Sequence, residues 1–272
     1  MSDPLFSVII PTYQRKGMLR EAIASVLQQT IKDLECIVVD DASPDPVHIN
    51  ISDSRVRCVR RGNNGGQAAS INTGLRYARG KFVSFLDDDD LFTEDRLERA
   101  LECHDVAPIV ICWSGSIGAK HSTNRRLNGW VHEEILNGRT PSLGATSILR
   151  EITPMLDDRL VASADIEWWL RASLVAPVIT LPKVGHLVRQ HDGPRNLNSV
   201  TARISTSVAL LETYSEYFES HRSAAAHRWT RIGLMHSKAG NHSEAMRASW
   251  KALTLDPTIR RVWHFARSSV VG

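Results

Sequence analysis

The first half of the chain alternates two periodicities. Residues 6–10, FSVII, form a short, almost wholly apolar run that stops at Pro11, the pattern of a buried strand. Leu19, Ala22, Ile23, Val26 and Leu27 then fall at i, i+3, i+4, i+7 and i+8, one face of a helix. Residues 34–39 (LECIVV) read as a second strand ending at Asp40 and Asp41, and residues 56–59 as a third. Ala68, Ile71, Leu75 and Ala78 return to helical spacing. Residues 81–86 (KFVSFL) read as a strand that runs into four consecutive aspartates, Asp87 to Asp90. A helix is expected over 94–103 and a strand over 109–113. Strand–helix alternation at this spacing predicts βαβ units, an α/β fold with a mostly parallel sheet covered by helices. Ligands of such sheets sit beyond the carboxyl ends of the strands. Thr12, Asp40, Asp41 and Asp87 to Asp90 all fall there.

The second half is less regular. Glycines break residues 114–150 into loops and short strands. Residues 164–175 read as a helix, and 178–181 and 185–190 as strands. From Asn198 the pattern is helical to the end. Trp229 and Trp263 are 34 residues apart, with Gly233, Gly240, Ala245, Ala252 and Pro257 between them. This spacing is similar to a tetratricopeptide repeat, two antiparallel helices with small residues where they cross. One such repeat, about 226–259, is complete, and a free-standing array usually needs three. The C-terminal helices are therefore expected to pack on the first domain. The expected organisation is 1–200 as one domain and 201–272 as a helical appendage.

Composition narrows the class. In 272 residues, 42% are hydrophobic and 23% charged, an ordinary globular balance. Lys and Arg number 33 against 30 Asp and Glu, a net charge of +3. That is too weak to argue for a nucleic-acid partner. No apolar run approaches the ~20 residues of a membrane span. The N-terminal MSDPLFSVIIP does not read as a signal peptide. Four scattered cysteines without C-x-x-C spacing read as small buried hydrophobes in a reducing cytosol. A cytoplasmic location is expected, with peripheral association at the inner face of a membrane left open.

The aspartate run carries the chemistry. Like charges a few ångströms apart repel and raise one another's pKa unless a cation sits between them. Oxygen-only ligands at a strand end suit Mg²⁺ or Mn²⁺ carrying a phosphorylated substrate. The bland alternative is a helix N-terminal charge cluster, a role Asp90 could fill ahead of the helix at 94.

Four segments, FSVIIPTY, VVDDASPD, NNGGQAASINTG and FLDDDDL, resemble in order and spacing the family 2 glycosyltransferases of GT-A fold. The resemblance covers residues 5 to about 192 and implies that, within the first domain, about 1–113 binds nucleotide and about 114–200 serves the acceptor. It implies that Pro11, Thr12 and Tyr13 line a nucleotide pocket and that Asp41 accepts the N3–H of a uracil or thymine. Asn64, Gly65 and Gly66 would bring backbone close to the nucleotide. Asp87, Asp88 and Asp89 would form the D-x-D motif, Asp87 on ribose or metal, Asp88 on the donor side and Asp89 on metal. Many members carry Arg before the Asn of the Gly-rich segment; Ile71 stands there in this chain.

The resemblance also implies a catalytic base. In ADIEWWLR, Asp165 matches the family's catalytic Asp, while Ala164 replaces the usual Glu. Asp165 could instead be only a helix N-terminal acid. Glu167 is a local rival, turned about 200° from Asp165 on a helix. Residues 144–148 resemble the stretch under the acceptor site. In HDGPRN, His191 is a candidate third metal ligand and Arg195 a candidate diphosphate contact. The expected activity is inverting sugar transfer from a UDP- or dTDP-linked donor, with Mn²⁺ or Mg²⁺, to a saccharide or lipid-linked acceptor. A protein partner at the C-terminal helices is left open. The alternatives are a sugar-phosphate nucleotidyltransferase, which usually needs a Gly-rich loop that residues 11–16 lack, and a non-catalytic binding protein on a degenerate transferase.

Overall fold

The computed structural model describes residues 3–47, 52–118, 122–123, 126–160, 162–190 and 200–258. In chain order the strands are β1 (Phe6–Thr12), β2 (Leu34–Asp40), β3 (Val56–Arg60), β4 (Phe82–Phe85), β5 (Leu91–Phe92), β6 (Ile109–Ser116), β7 (Ser122–Thr123), β8 (Thr146–Leu149) and β9 (Val178–Val188). The helices are α1 (Lys16–Leu27), α2 (Gly66–Tyr77), α3 (Arg96–His104), α4 (His132–Leu136), α5 (Ala164–Val175), α6 (Val200–Thr213), α7 (Ser215–Ser220), α8 (Arg222–Lys238) and α9 (His242–Leu255).

All nine strands join one sheet in the order β3-β2-β1-β4-β8-β6-β9-β5, with β7 on β6. The expected parallel half is β3, β2, β1 and β4. Strand β8 runs antiparallel between β4 and β6, and β9 is parallel to β6. Residues 178–181 and 185–190 belong to one strand and not two. Pro182 and Lys183 are exposed where the register of β6 against β9 slips, so a bulge imitates a break.

Alternation along the strands covers both faces. Phe6, Val8 and Ile10 of β1 pack in one cluster with Leu19, Ala22, Ile23 and Val26 of α1 and Leu97 of α3. Ile9 points the other way, against α2. A Cβ on Gly74 would lie 2.4 Å from Ile9 Cγ2, so a glycine is required for α2 to pack this closely. Phe85 of β4 shares that second face and packs edge-on against Trp168 of α5, ring centroids 5.8 Å apart. Trp168 and Trp169 are both fully buried, so both are core residues and neither is free to stack on a sugar.

The chain divides into two compact units. The first holds the whole sheet. The second is built from Glu133–Arg139, Leu160–Ser163 and Gly193–Gly272, so it takes two stretches from the region expected to serve the acceptor. Within it, α8 and α9 form a hairpin turned at Gly240, whose φ is +76°. Gly233 faces Ser249 and Ala245 at the crossing, and a Cβ at 233 would lie 2.8 Å from Ser249 Oγ. Buried Arg228 donates from Nε to the Leu136 carbonyl at 2.9 Å and from Nη2 to the Ile135 carbonyl at 3.1 Å. Its guanidinium pKa is pushed down to about 10, chiefly by burial. The continuation around Trp263 lies outside the described residues.

Residues 200–272 expressed alone lack the carbonyls that Arg228 requires, and a buried, unsatisfied cation is costly. The fragment is expected to melt without a cooperative transition by circular dichroism. A sharp two-state melt would contradict this.

Candidate active site

The parallel strands bring their carboxyl ends together. Thr12 is the register partner of Asp40, and Ile9 that of Phe85. Asp41 therefore follows one strand end and Asp87 to Asp90 another, with Thr12 between them. Two non-glycine residues just past the ends of β1 and β2 have left-handed backbone, Gln14 (φ 60°) and Ala42 (φ 58°). Such residues cost about 1–3 kcal/mol each and cluster at functional sites. The Ser43 side chain holds this turn by accepting the Gln14 N–H at 3.0 Å.

Asp40 and Asp41 do different work. Asp40 accepts the Ser43 N–H at 3.0 Å, the Val47 N–H at 3.4 Å and Arg60 Nη1 at 2.5 Å. Burial alone would raise its carboxyl pKa, but these hydrogen bonds outweigh burial and hold it below the ordinary value. Asp40 thus holds the turn that follows β2. Asp41 accepts the Gly66 N–H at 2.7 Å and the Gly65 N–H at 3.1 Å, at the start of α2, where an anion is favoured. It also pairs with Arg61. Arg61 lies over Gly65, where a Cβ would meet the guanidinium nitrogens at 2.7 Å. The Gly65 N–H also reaches Oδ2 at 3.3 Å, so two contacts fall on each oxygen and the about four lone-pair sites of an ionised carboxylate are all engaged, one of them only by this long, shared bond.

The aspartate run splits by burial. Asp88 is buried, accepts Thr12 Oγ1 at 2.6 Å and takes Arg15 Nη1 at 3.1 Å. Arg15 Nη1 also donates to Asp89 Oδ2 at 2.5 Å. Gln67 Nε2 donates to Asp87 Oδ1 at 2.6 Å. Asp90 is buried, lies 2.9 Å from His186 Nε2 through Oδ2, and accepts the Arg189 N–H at 2.9 Å. His186 in turn meets Ser114 Oγ at 3.0 Å through Nδ1. Asp87, Asp89 and Asp90 each place a carboxylate oxygen within 4.8 Å of the other two. Desolvation, and then Asp90, Asp89 and Asp88, push the Asp87 carboxyl up to about 8. Burial also raises Asp88, against the pull of Thr12 and Arg15. A set of hard oxygens that cannot all ionise is one that a divalent cation relieves, so the residues fit such an ion.

Asp90 is therefore not a helix N-terminal charge. Strand β5 intervenes, and α3 begins only at Arg96. Its place beside Asp87 and Asp89 is the one expected for His191, which lies outside the described residues, as does Arg195. Pro11 and Thr12 are buried, Tyr13 is 41% exposed, and Asn64 is exposed. Ile71 is buried on α2, so no basic group comes from that position. Sequence reasoning missed Arg15, Arg61, Gln67 and His186 as neighbours of the acids. A lone basic residue after a strand end carries no periodic signal.

Asp165 is half-buried in the first turn of α5 and shares a helix face with Trp168, three residues on. Because Trp168 packs on Phe85, two residues before Asp87, that turn is anchored beside the end of β4. Glu167 is committed elsewhere. Both its oxygens accept from Arg171, at 2.5 and 2.6 Å, and Arg171 also donates to the Met155 carbonyl. The small stretch at 144–148 is a single-turn helix, Leu143–Ala145, leading into buried β8. Gly144 makes room for His186, whose Nε2 a Cβ would approach to 2.4 Å.

The family model for Glycosyl transferase family 2 matches residues 7–153, more than half of the chain. The chain belongs to glycosyl transferase family 2. The chain is 39% identical over 101 residues to WfgD of Escherichia coli, a UDP-Glc:alpha-D-GlcNAc-diphosphoundecaprenol beta-1,3-glucosyltransferase, a match covering 36% of this chain and 40% of WfgD. It is 42% identical over 106 residues to an uncharacterized glycosyltransferase of Rickettsia felis, covering 38% of this chain and 17% of that protein. The match thus spans less than half the length of these curated relatives. Among solved structures, TarS 1–349 of S. aureus superposes with a TM-score of 0.67 at 17% identity, covering all of this chain and 88% of that one. The mannosyltransferase PcManGT of Pyrobaculum calidifontis, solved with GDP-Man and Mn²⁺, gives 0.57 at 18% identity, covering 100% and 81%. These likenesses show a shared fold, the α/β nucleotide-sugar-binding architecture of GT-A type. Family membership sets aside the nucleotidyltransferase alternative.

The raised Asp87 pKa has a consequence for stability. The protonated carboxyl favours the folded, metal-free protein, fully below its unfolded value of 3.8, and that contribution is lost as pH rises through about 8. The urea midpoint of EDTA-treated protein is expected to fall between about pH 5 and about pH 8.5, and Asp87→Asn to flatten the slope. Equal slopes in both proteins would contradict the assignment.

Proposed function

We propose that this family 2 transferase moves a sugar from a nucleotide-diphosphate sugar to an acceptor hydroxyl, with inversion and with a divalent metal. The observation that carries the reading is the group of Asp87, Asp89 and Asp90 at the end of β4, beside the Asp41 turn. Asp87, Asp89 and Asp90 would hold Mn²⁺ or Mg²⁺, and His191 remains a candidate outside the described residues. Such an ion, when bound, neutralises charge developing on the leaving diphosphate.

The remaining work falls to this chain's own residues. Asp41 would accept the N3–H of a uracil or thymine in place of the long second contact from the Gly65 N–H, its other positions being fixed by Arg61 and the α2 N-terminus. Pro11, Thr12 and Tyr13 would flank the nucleotide, with Asn64 and Gly66 bringing backbone to it. Asp88, fixed by Thr12, would face the donor, and Arg195 would contact the diphosphate. A UDP-linked donor is supported by the name of WfgD and by TarS 1–349 solved with UDP-GlcNAc. A lipid-linked saccharide acceptor is supported by the diphosphoundecaprenol in the WfgD name, and would place the reaction at the inner face of a membrane. Among the described residues no helix is long and apolar enough to cross one.

Asp165 would take the proton from the acceptor hydroxyl as the oxygen attacks the sugar carbon opposite the leaving group. Glu167 is the weaker candidate because Arg171 fills both its oxygens. The helical second unit would serve as an appendage with one tetratricopeptide-like repeat, open to a protein partner.

Asp165→Asn keeps size and hydrogen bonding but removes the basicity. Transfer should drop by about 10²–10⁴-fold, the usual contribution of a general base, with UDP affinity little changed. Near-normal turnover would return the role to another group. EDTA should abolish transfer and added Mn²⁺ restore it; full activity in EDTA would contradict the metal reading.

A further inference from the structure

We propose that Arg15 is a built-in counter-cation for the aspartate run, one that gives up Asp89 to a divalent ion and turns to the donor's diphosphate, so that metal and donor bind cooperatively. The proposal rests on the metal-dependent transfer reading above.

One nitrogen of Arg15 spans two acids, donating to Asp88 Oδ1 at 3.1 Å and to Asp89 Oδ2 at 2.5 Å. The two ends of this bridge are unlike. Asp88 is buried and held independently by Thr12 Oγ1 at 2.6 Å. The Asp89 side chain is the more exposed, 15% against 7%, and it belongs to the group of three carboxylates within 4.8 Å. Arg15 thus neutralises the same carboxylate that a divalent ion would use. A single and a double positive charge a few ångströms apart repel, so the guanidinium must give up Asp89 when such an ion binds.

The displaced group has an evident next partner. A guanidinium carries five N–H donors in a planar fork that matches phosphate oxygens. Among the described residues, the side chains of the other arginines at the site pair with acids outside the group of three: Arg60 with Asp40, Arg61 with Asp41, and Arg189 with Glu21. Helix α2 supplies no basic residue before its last turn, and Ile71 is buried. Arg15 also stands at a junction, between the left-handed Gln14 and the start of α1, with its side chain a quarter exposed. Linkage makes the effect reciprocal: an ion that releases Arg15 strengthens diphosphate binding, and a diphosphate that captures Arg15 strengthens ion binding by the same factor.

The test is a Mn²⁺ titration followed by the electron paramagnetic resonance signal of the free ion, with and without UDP, corrected for the Mn–UDP complex in solution. In the wild type, Mn²⁺ alone should bind weakly and UDP should tighten it manyfold. In Arg15→Gln, Mn²⁺ alone should bind about tenfold tighter and the enhancement by UDP should shrink by about tenfold, within the usual range of coupling between sites. An enhancement of wild-type size in Arg15→Gln, or weaker binding of Mn²⁺ alone, would overturn the proposal. Should the Gln variant not fold, Arg15→Lys decides: it keeps the charge but not the fork, so Mn²⁺ alone should bind as in the wild type with a reduced UDP effect, and an undiminished effect would overturn it. A wild type that takes up no Mn²⁺ in either condition would instead remove the metal reading itself.

Discussion

Four aspartates in succession at the end of a buried strand are the constraint around which the rest of the site is arranged. Desolvation, and behind it their mutual repulsion, pushes the Asp87 carboxyl up to about 8 in the metal-free chain. Each of the four carboxylates has a neighbour that answers it, and Arg15 answers two. Thr12 and Arg15 hold Asp88, Arg15 holds Asp89, Gln67 reaches Asp87, and His186 with the Arg189 backbone satisfies Asp90. These partners come from β1, α2, β9 and the loops between them, so the sheet must be fully assembled before the acids can be held together. The arrangement is costly for stability alone and is the reason for reading it as a cation and phosphate site.

The sheet makes this possible through strand periodicity. Alternate residues of β1 and β4 meet α1 and α3 on one face and α2 and α5 on the other, so both faces are sealed and only the strand ends remain open. The contact of Phe85 with Trp168 links the two chemical ends of the proposed reaction. It ties the turn that carries Asp165 to the strand that delivers Asp87. Glu167, on the other side of that helix, is bound to Arg171.

Much of this was legible in the sequence where the signal was local and periodic. The apolar runs of β1, β2 and β4 and the stripe of α1 required no long-range information. The aspartates were legible as an anomaly, because charge following a buried run is expensive. What escaped was set by tertiary pairing. Strand β5 is two residues long and exists only because Leu91 and Phe92 pair with Leu187 and His186. The bulge at Pro182 and Lys183 made one strand read as two. The helix after Asp90 begins later than its pattern suggested, at Arg96, which leaves Asp90 grouped with the other acids. Arg15 and Arg61 find their acids 74 and 20 residues away, a distance over which composition and spacing carry no information. The second unit's use of Glu133–Arg139 was hidden for the same reason.

The most direct test of the central claim is a crystal structure of the protein soaked with UDP and Mn²⁺, with anomalous diffraction recorded to locate the manganese. The account predicts one strong anomalous peak at bonding distance from carboxylate oxygens of the Asp87, Asp89 and Asp90 group, with the diphosphate of UDP as a further ligand and the uracil beside Asp41. A manganese peak elsewhere, or UDP bound with the three aspartates still held only by their protein partners, would contradict it.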